Sequence, residues 1–107
     1  MLTREEERGR TQCHHYWPSA SSPLHFPAHH LVVHLLGETN ENEVIILRSF
    51  RLVHTEKGLE RVVTQIQYTG WPDHGVPTDV GNVLRVLELV KELEGTRVSG
   101  PLVLHCR

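Results

Sequence analysis

The apolar positions of this chain change period along its length, and each change marks an element. Leu31-Val32-Val33-His34-Leu35-Leu36 is a short, strongly apolar run closed by Gly37 and the polar stretch Glu38 to Glu43, which predicts a strand followed by a turn. Val44 to His54 and Glu60 to Tyr68 are two further β-rich runs, joined by Thr55-Glu56-Lys57-Gly58-Leu59, a connection of hairpin length. In the second run Val62, Thr64, Ile66 and Tyr68 share one face, with Val63, Gln65 and Gln67 on the other, so one face of the hairpin should be the more buried. Beyond residue 78 the period lengthens to about 3.6. Val80, Val83, Leu84, Leu87, Val90 and Leu93 then predict a helix, capped by Thr78 or Asp79, with Lys91 near its end and Gly95 as its stop. After Gly100-Pro101, Leu102-Val103-Leu104 reads as a strand buried on both faces that delivers His105 and Cys106 at its carboxyl end. Residues 60–68, 78–94 and 102–106 would thus form a strand, a crossover helix and a parallel strand. The first 27 residues lack periodicity and read as loop. The fold class expected is α/β, with a mixed twisted sheet and a flanking helix.

Composition narrows the function classes. The chain has 107 residues, 38% of them hydrophobic, enough for one small domain or part of one. Its 11 basic and 13 acidic residues are interspersed and nearly balance, which leaves no electrostatic footprint for nucleic acid or an anionic membrane. The longest apolar run is far below the ~20 residues that cross a bilayer, and the start Met1-Leu2-Thr3-Arg4-Glu5 is unlike a secretory signal, so a cytoplasmic location is expected. Cys13 and Cys106 stand in unrelated contexts and offer no disulfide framework. Nine histidines are the compositional excess. Pairs such as His25 with His29 or His30 with His34 have helical spacing, but on a strand they would stand about 13 Å apart. No cysteine or carboxylate set completes a zinc site. The expectation is surface histidines at 14, 15 and 29 and a partly buried one at 34.

Two residues are candidates for chemistry. Taken singly, a cysteine that ends an apolar strand is an ordinary core residue, and an aspartate on a loop of Trp, Pro and Gly is an ordinary turn residue. Taken together, Cys106 and Asp73 suggest a thiolate nucleophile and a carboxylic acid on a separate hinged loop, one attacking phosphorus while the other protonates the leaving oxygen.

Gly70-Trp71-Pro72-Asp73-His74-Gly75-Val76-Pro77 resembles the WPD loop of the tyrosine-specific protein phosphatases almost letter for letter. Gly100-Pro101-Leu102-Val103-Leu104-His105-Cys106 is similar to the strand entering that family's HCxxGxxR phosphate-binding loop, at the expected distance. Upstream, Met1-Leu2-Thr3, Glu7-Arg8-Gly9-Arg10-Thr11-Gln12-Cys13 and Tyr16-Trp17-Pro18 look like a further family segment, while residues 19–60 match only in pattern. The resemblance implies that Cys106 forms a phosphocysteine, that His105 lowers its pKa, and that Asp73 acts as general acid and then general base. It further implies that Glu7 holds the phosphate-binding arginine, and that Trp71, Pro72 and Pro77 belong to a loop that closes over substrate. Phosphotyrosine-containing proteins would be the substrates, with no metal or organic cofactor.

The chain also departs from the pattern. Residues 1–107 read as the central part of a catalytic domain, without the family's amino-terminal recognition loop or the glycine-rich loop after the cysteine. Gln12 stands where the family usually has lysine. The missing loop would supply the N–H donors and positive charge that stabilise phosphoryl transfer. Arg107 is not expected to replace them, since adjacent strand side chains point to opposite faces. Low activity is therefore expected of this chain, with an exposed apolar edge along Leu102 to Leu104. The alternative is a non-catalytic truncated product or pseudophosphatase that at most binds partners. The parent could be a cytoplasmic enzyme or the cytoplasmic side of a receptor.

Overall fold

A computed structural model of the chain describes residues 1–96 and 100–106. Four strands form one antiparallel sheet in the order β3 (Leu24–Phe26), β4 (Leu31–Asn40), β5 (Ile45–His54) and β6 (Leu59–Tyr68). A small antiparallel pair, β1 (Glu6–Glu7) and β2 (Arg10–Thr11), precedes it, and an α-helix, α1 (Val80–Glu94), follows. The α/β expectation stands. The hairpin lies where its two β-rich runs predicted, in one register from Ile45↔Tyr68 to His54↔Leu59, closed by a turn in which Gly58 takes a φ of 65°.

Packing on both sides of the sheet follows from the two-residue period of β5. Ile45 and Leu47 point to one face, where Ile45, Tyr68 and Leu89 form a buried cluster with Ile66, Trp71, Val83 and Val86 against it. Arg48 and Phe50 point to the other, where Phe50, Met1 and Trp17 are buried together with Cys13, Val33 and Leu35. The helix covers the first face and the amino-terminal segment the second. Against the expectation that one hairpin face would be the more buried, residues of both faces are buried at the carboxyl end of β6, Gln65 and Gln67 on one and Tyr68 on the other.

The helix begins as predicted, with Asp79 as N-cap accepting from the Asn82 N–H, and Gly95 closes it. Its inward stripe differs. Val83, Val86 and Leu89 meet the sheet, whereas Val80, Leu84 and Leu87 are exposed. The helix is apolar on two sides, and its polar ties decide which side turns in: Arg85 binds Glu41, with Nε donating over 2.7 Å, and Asn42 donates to Asn82 over 2.9 Å. Both fix α1 to the β4–β5 turn.

Three further expectations are corrected. Leu24–Phe26 is an edge strand too short for its period to be legible, and Glu6 to Thr11 forms a tight pair through Arg8 and Gly9, both at positive φ. β4 continues through the residues read as a turn, because a bulge at Leu36 lets Gly37 pair with Ser49 and Glu38 with Arg48. Leu102-Val103-Leu104 forms no strand, and the parallel crossover unit is absent among the described residues. The edge of β6 that it would have joined is occupied by Met1, whose ammonium donates to the Ile66 carbonyl and whose carbonyl accepts from the Tyr68 N–H, each at 2.9 Å. The terminal segment instead meets the amino-terminal residues, the Leu2 N–H donating to the His105 carbonyl at 2.9 Å. Leu102, Val103 and Leu104 are exposed.

Burial pushes the Tyr68 phenol above its ordinary pKa, and the nearby Asp79 carboxylate adds to the effect. A raised folded-state value means that the protonated phenol is favoured in the fold. This contribution to stability is fully present below the ordinary value of 10.0 and is lost as pH rises through the folded one. Urea midpoints across the alkaline range should therefore fall less steeply in Tyr68→Phe than in the parent chain; identical slopes would remove Tyr68 from the account.

Candidate active site

Two segments carry the residues singled out in the sequence, and each is anchored differently. The loop 70–77 is pinned at its start by Trp71, half-buried against the Ile45, Tyr68 and Leu89 cluster, and at its end by the Asp79 cap that starts α1. Between these anchors Pro72 is exposed and Pro77 half-buried, and Gly75 takes a φ of 89° that L side chains rarely adopt. The Asp73 carboxylate lies 3.6 Å from His74 Nε2 with 28% of its side chain exposed.

His105 is held from two directions. Its carbonyl accepts from Leu2, and its ring Nε2 lies 2.7 Å from the Tyr16 hydroxyl, with the two rings edge to face at 5.3 Å. The other nitrogen, Nδ1, is 2.9 Å from the carbonyl oxygen of Cys106. The thiol of Cys106 is free and exposed, and among the described residues no ion pair or side-chain hydrogen bond reaches it. The structure thus joins His105 to Tyr16 and leaves Asp73 and Cys106 on separate segments. Glu7 sits half-buried in β1 opposite Arg10 and forms no ion pair with a described residue. Arg107 lies outside the described residues.

Behind Tyr16 stands a buried polar group that sequence reasoning did not single out. Arg48, 5% exposed, lies over the Trp17 ring at 4.5 Å and binds Glu38, Gln65 and Gln67, while Gln65 donates onward to the Tyr16 hydroxyl over 2.8 Å. The available signal was Tyr16-Trp17 in the upstream matching segment, together with a strand that carries arginine between apolar neighbours.

The histidines do not converge. His15 pairs with Glu5, and His30 lies 3.3 Å from Glu56 with its ring 6.0 Å from that of His54. Among the described residues no group of three His, Cys, Asp or Glu is placed to hold a metal ion. No described helix is long and apolar enough to cross a membrane.

Comparison with known proteins adds three findings. The profile of the protein-tyrosine phosphatase family matches residues 1–107. The chain is 42% identical to receptor-type tyrosine-protein phosphatase V of Rattus norvegicus over 107 residues and 38% identical to tyrosine-protein phosphatase non-receptor type 4 of Mus musculus over 106, each alignment covering 99% of the chain. The crystal structure of the catalytic domain of human protein tyrosine phosphatase non-receptor type 18 superposes with a TM-score of 0.76 at 34% identity, covering 94% of this chain. The same phosphatase has also been solved in complex with HER2 phosphopeptides. The chain spans 6% and 11% of the two curated relatives and 33% of the solved catalytic domain.

Proposed function

The chain belongs to the protein-tyrosine phosphatase family, and from that premise we propose that it carries the nucleophile and the general acid of phosphotyrosine hydrolysis in proteins. In the first step the Cys106 Sγ forms a bond to phosphorus as the bond from phosphorus to the tyrosine oxygen breaks, and the Asp73 carboxyl gives its proton to that oxygen. In the second, water attacks the cysteinyl-phosphate, the Asp73 carboxylate takes a proton from it, and the P–S bond breaks to release phosphate. Trp71, Pro72 and Pro77 shape the loop that brings Asp73 to the substrate. Glu7 is assigned to holding the arginine that grips the phosphate in a whole domain. Phosphotyrosine-containing proteins are the substrate class, in keeping with the phosphopeptide complexes of the non-receptor type 18 enzyme. The cytoplasm, or the cytoplasmic side of a receptor, is the corresponding location, since the relatives include both receptor and non-receptor types.

The observation that carries this reading is the clamp on His105, which fixes the backbone beside Cys106 and leaves its thiol at the surface. Low turnover is assigned to residues 1–107 on their own, because no described ion pair or side-chain hydrogen bond reaches that thiol and no described helix begins beside it to neutralise the transferring phosphoryl group.

The test is turnover of an aryl phosphate by the 107-residue polypeptide beside the whole catalytic domain of a relative. The expected rate is at least ~100-fold lower than that domain's, since a single positioned donor to the transferring group is worth about that much. Whatever remains should vanish in Cys106→Ser and fall sharply in Asp73→Asn. Activity that survives Cys106→Ser would overturn the nucleophile assignment.

A further inference from the structure

The polar chain behind His105 has a direction, and an arginine sets it. Arginine carries only N–H donors. Arg48 Nη1 donates to Oε1 of Gln65 and to Oε1 of Gln67, each at 2.9 Å, and Nε donates to Glu38 at 2.7 Å. With its oxygen facing Arg48, the Gln65 amide must turn its NH₂ toward Tyr16, where it donates to the hydroxyl over 2.8 Å. A phenol has one proton, and with a lone pair already taken by Gln65 that proton is directed at His105 Nε2, 2.7 Å away. Nε2 is then the bare nitrogen of the ring. The other end of the imidazole gives the same answer independently: Nδ1 lies 2.9 Å from the Cys106 carbonyl, an acceptor, and must carry the hydrogen. A ring protonated on both nitrogens would instead donate from Nε2 to the remaining lone pair of the phenol and turn the Tyr16 proton out to solvent.

We propose that Arg48 and Gln65 are positioning residues which, through Tyr16, hold His105 as the neutral tautomer with its proton on Nδ1 and so tie the ring to the backbone of Cys106. Arg48 and Gln65 are 5% and 9% exposed, so water does not compete for the bonds that orient the amide. The arrangement fixes the peptide plane at the candidate nucleophile from a strand nearly sixty positions away in sequence. Its importance for catalysis rests on the phosphatase reading above, whereas the tautomer itself does not.

Long-range proton–nitrogen NMR on the 107-residue chain, labelled with ¹⁵N-histidine and recorded where the ring is neutral, reads the tautomer without any need for turnover. The parent chain should show His105 protonated on Nδ1 and bare on Nε2. Gln65→Glu has nearly the same shape but only accepts, so Tyr16 must donate to the carboxylate and its oxygen becomes an acceptor toward His105. The bare Nε2 signal should then be lost, because Nε2 must carry a hydrogen to face the accepting phenol oxygen. Tyr16→Phe cuts the connection, and adding Gln65→Glu to it should leave the His105 signals where Tyr16→Phe alone puts them. A proton on Nε2 in the parent chain overturns the proposal, and that spectrum is decisive even if Gln65→Glu does not fold. An unchanged ring in Gln65→Glu, or an equal change with Tyr16 removed, overturns it as well. Activity that survives Cys106→Ser, together with the expected tautomer, would count against the phosphatase reading alone.

Discussion

Arg48→Met should lower the stability of this chain by about 3 kcal/mol, because it strips the donor from two buried amide oxygens while filling the site with an apolar chain. Gln65 and Gln67 are 9% and 2% exposed, so their oxygens have little access to water in exchange. An unsatisfied buried acceptor costs about 1–3 kcal/mol. Glu38 adds little, since its half-exposed carboxylate can be rehydrated. Part of the cost is returned because a buried guanidinium is itself expensive to desolvate. Against a total of about 5–15 kcal/mol for ordinary domains, the loss is large enough to abolish cooperative folding in a chain with this much exposed apolar surface. The measurement is the urea midpoint, read from the Trp17 signal over which Arg48 lies. The triple variant Arg48→Met, Gln65→Leu, Gln67→Leu should regain much of the loss, since the whole polar cluster leaves together. A single Arg48→Met within about 1 kcal/mol of the parent would mean that the glutamine oxygens find other donors.

Gly70→Ala should be comparably damaging for a steric reason. A Cβ at position 70 would lie 2.6 Å from Tyr68 Cε2, 2.7 Å from its hydroxyl and 2.8 Å from Cζ, all inside contact distance. The Tyr68 ring is 1% exposed and packed with Ile45 and Leu89, so it cannot swing aside without opening that cluster. Overpacking of this kind costs about 3 kcal/mol, which for a chain of this size is a fall in Tm of more than about 10 °C. The alternative relief is a shift of the loop that begins at Gly70, which would move Trp71 off the cluster and carry Asp73 with it. Tyr68→Leu should tolerate Gly70→Ala far better than the parent does, and a double-mutant cycle gives the coupling. Additive effects in that cycle would show that the ring is not the obstacle.

The parts of the fold that sequence made legible are those whose signals are local. The α1 caps are spelled by Asp79 and Gly95, and the hairpin by two β-rich runs around Gly58. The inward side of α1 was not legible, because Val80, Leu84 and Leu87 are as apolar as Val83, Val86 and Leu89; Arg85 and Asn82 break the tie through partners some forty residues away. Leu102 to Leu104 read as a strand on composition alone, yet a strand exists only with a neighbour, and Met1 already holds the edge of β6. At the site, Asp73, His105 and Cys106 stood out by motif. Tyr16, Gln65 and Arg48 did not stand out as functional, for their connection to His105 runs across separations of 89, 49 and 17 residues that no local pattern records.

The two long strands at the centre of the sheet differ in what insertions they can absorb. In β4 the extra residue Leu36 is set aside at a bulge beside Gly37, and the ladder resumes in step on the far side. β5 has no such release. A one-residue slip there would rotate Arg48 toward Ile45 and Leu89 and present Leu47 to Gln65 and Gln67, exchanging the apolar and polar sides of the sheet at once. The guanidinium thus serves as a phase marker for the sheet: the alignment that sets it against the Gln65 and Gln67 oxygens is also the one that buries Tyr68.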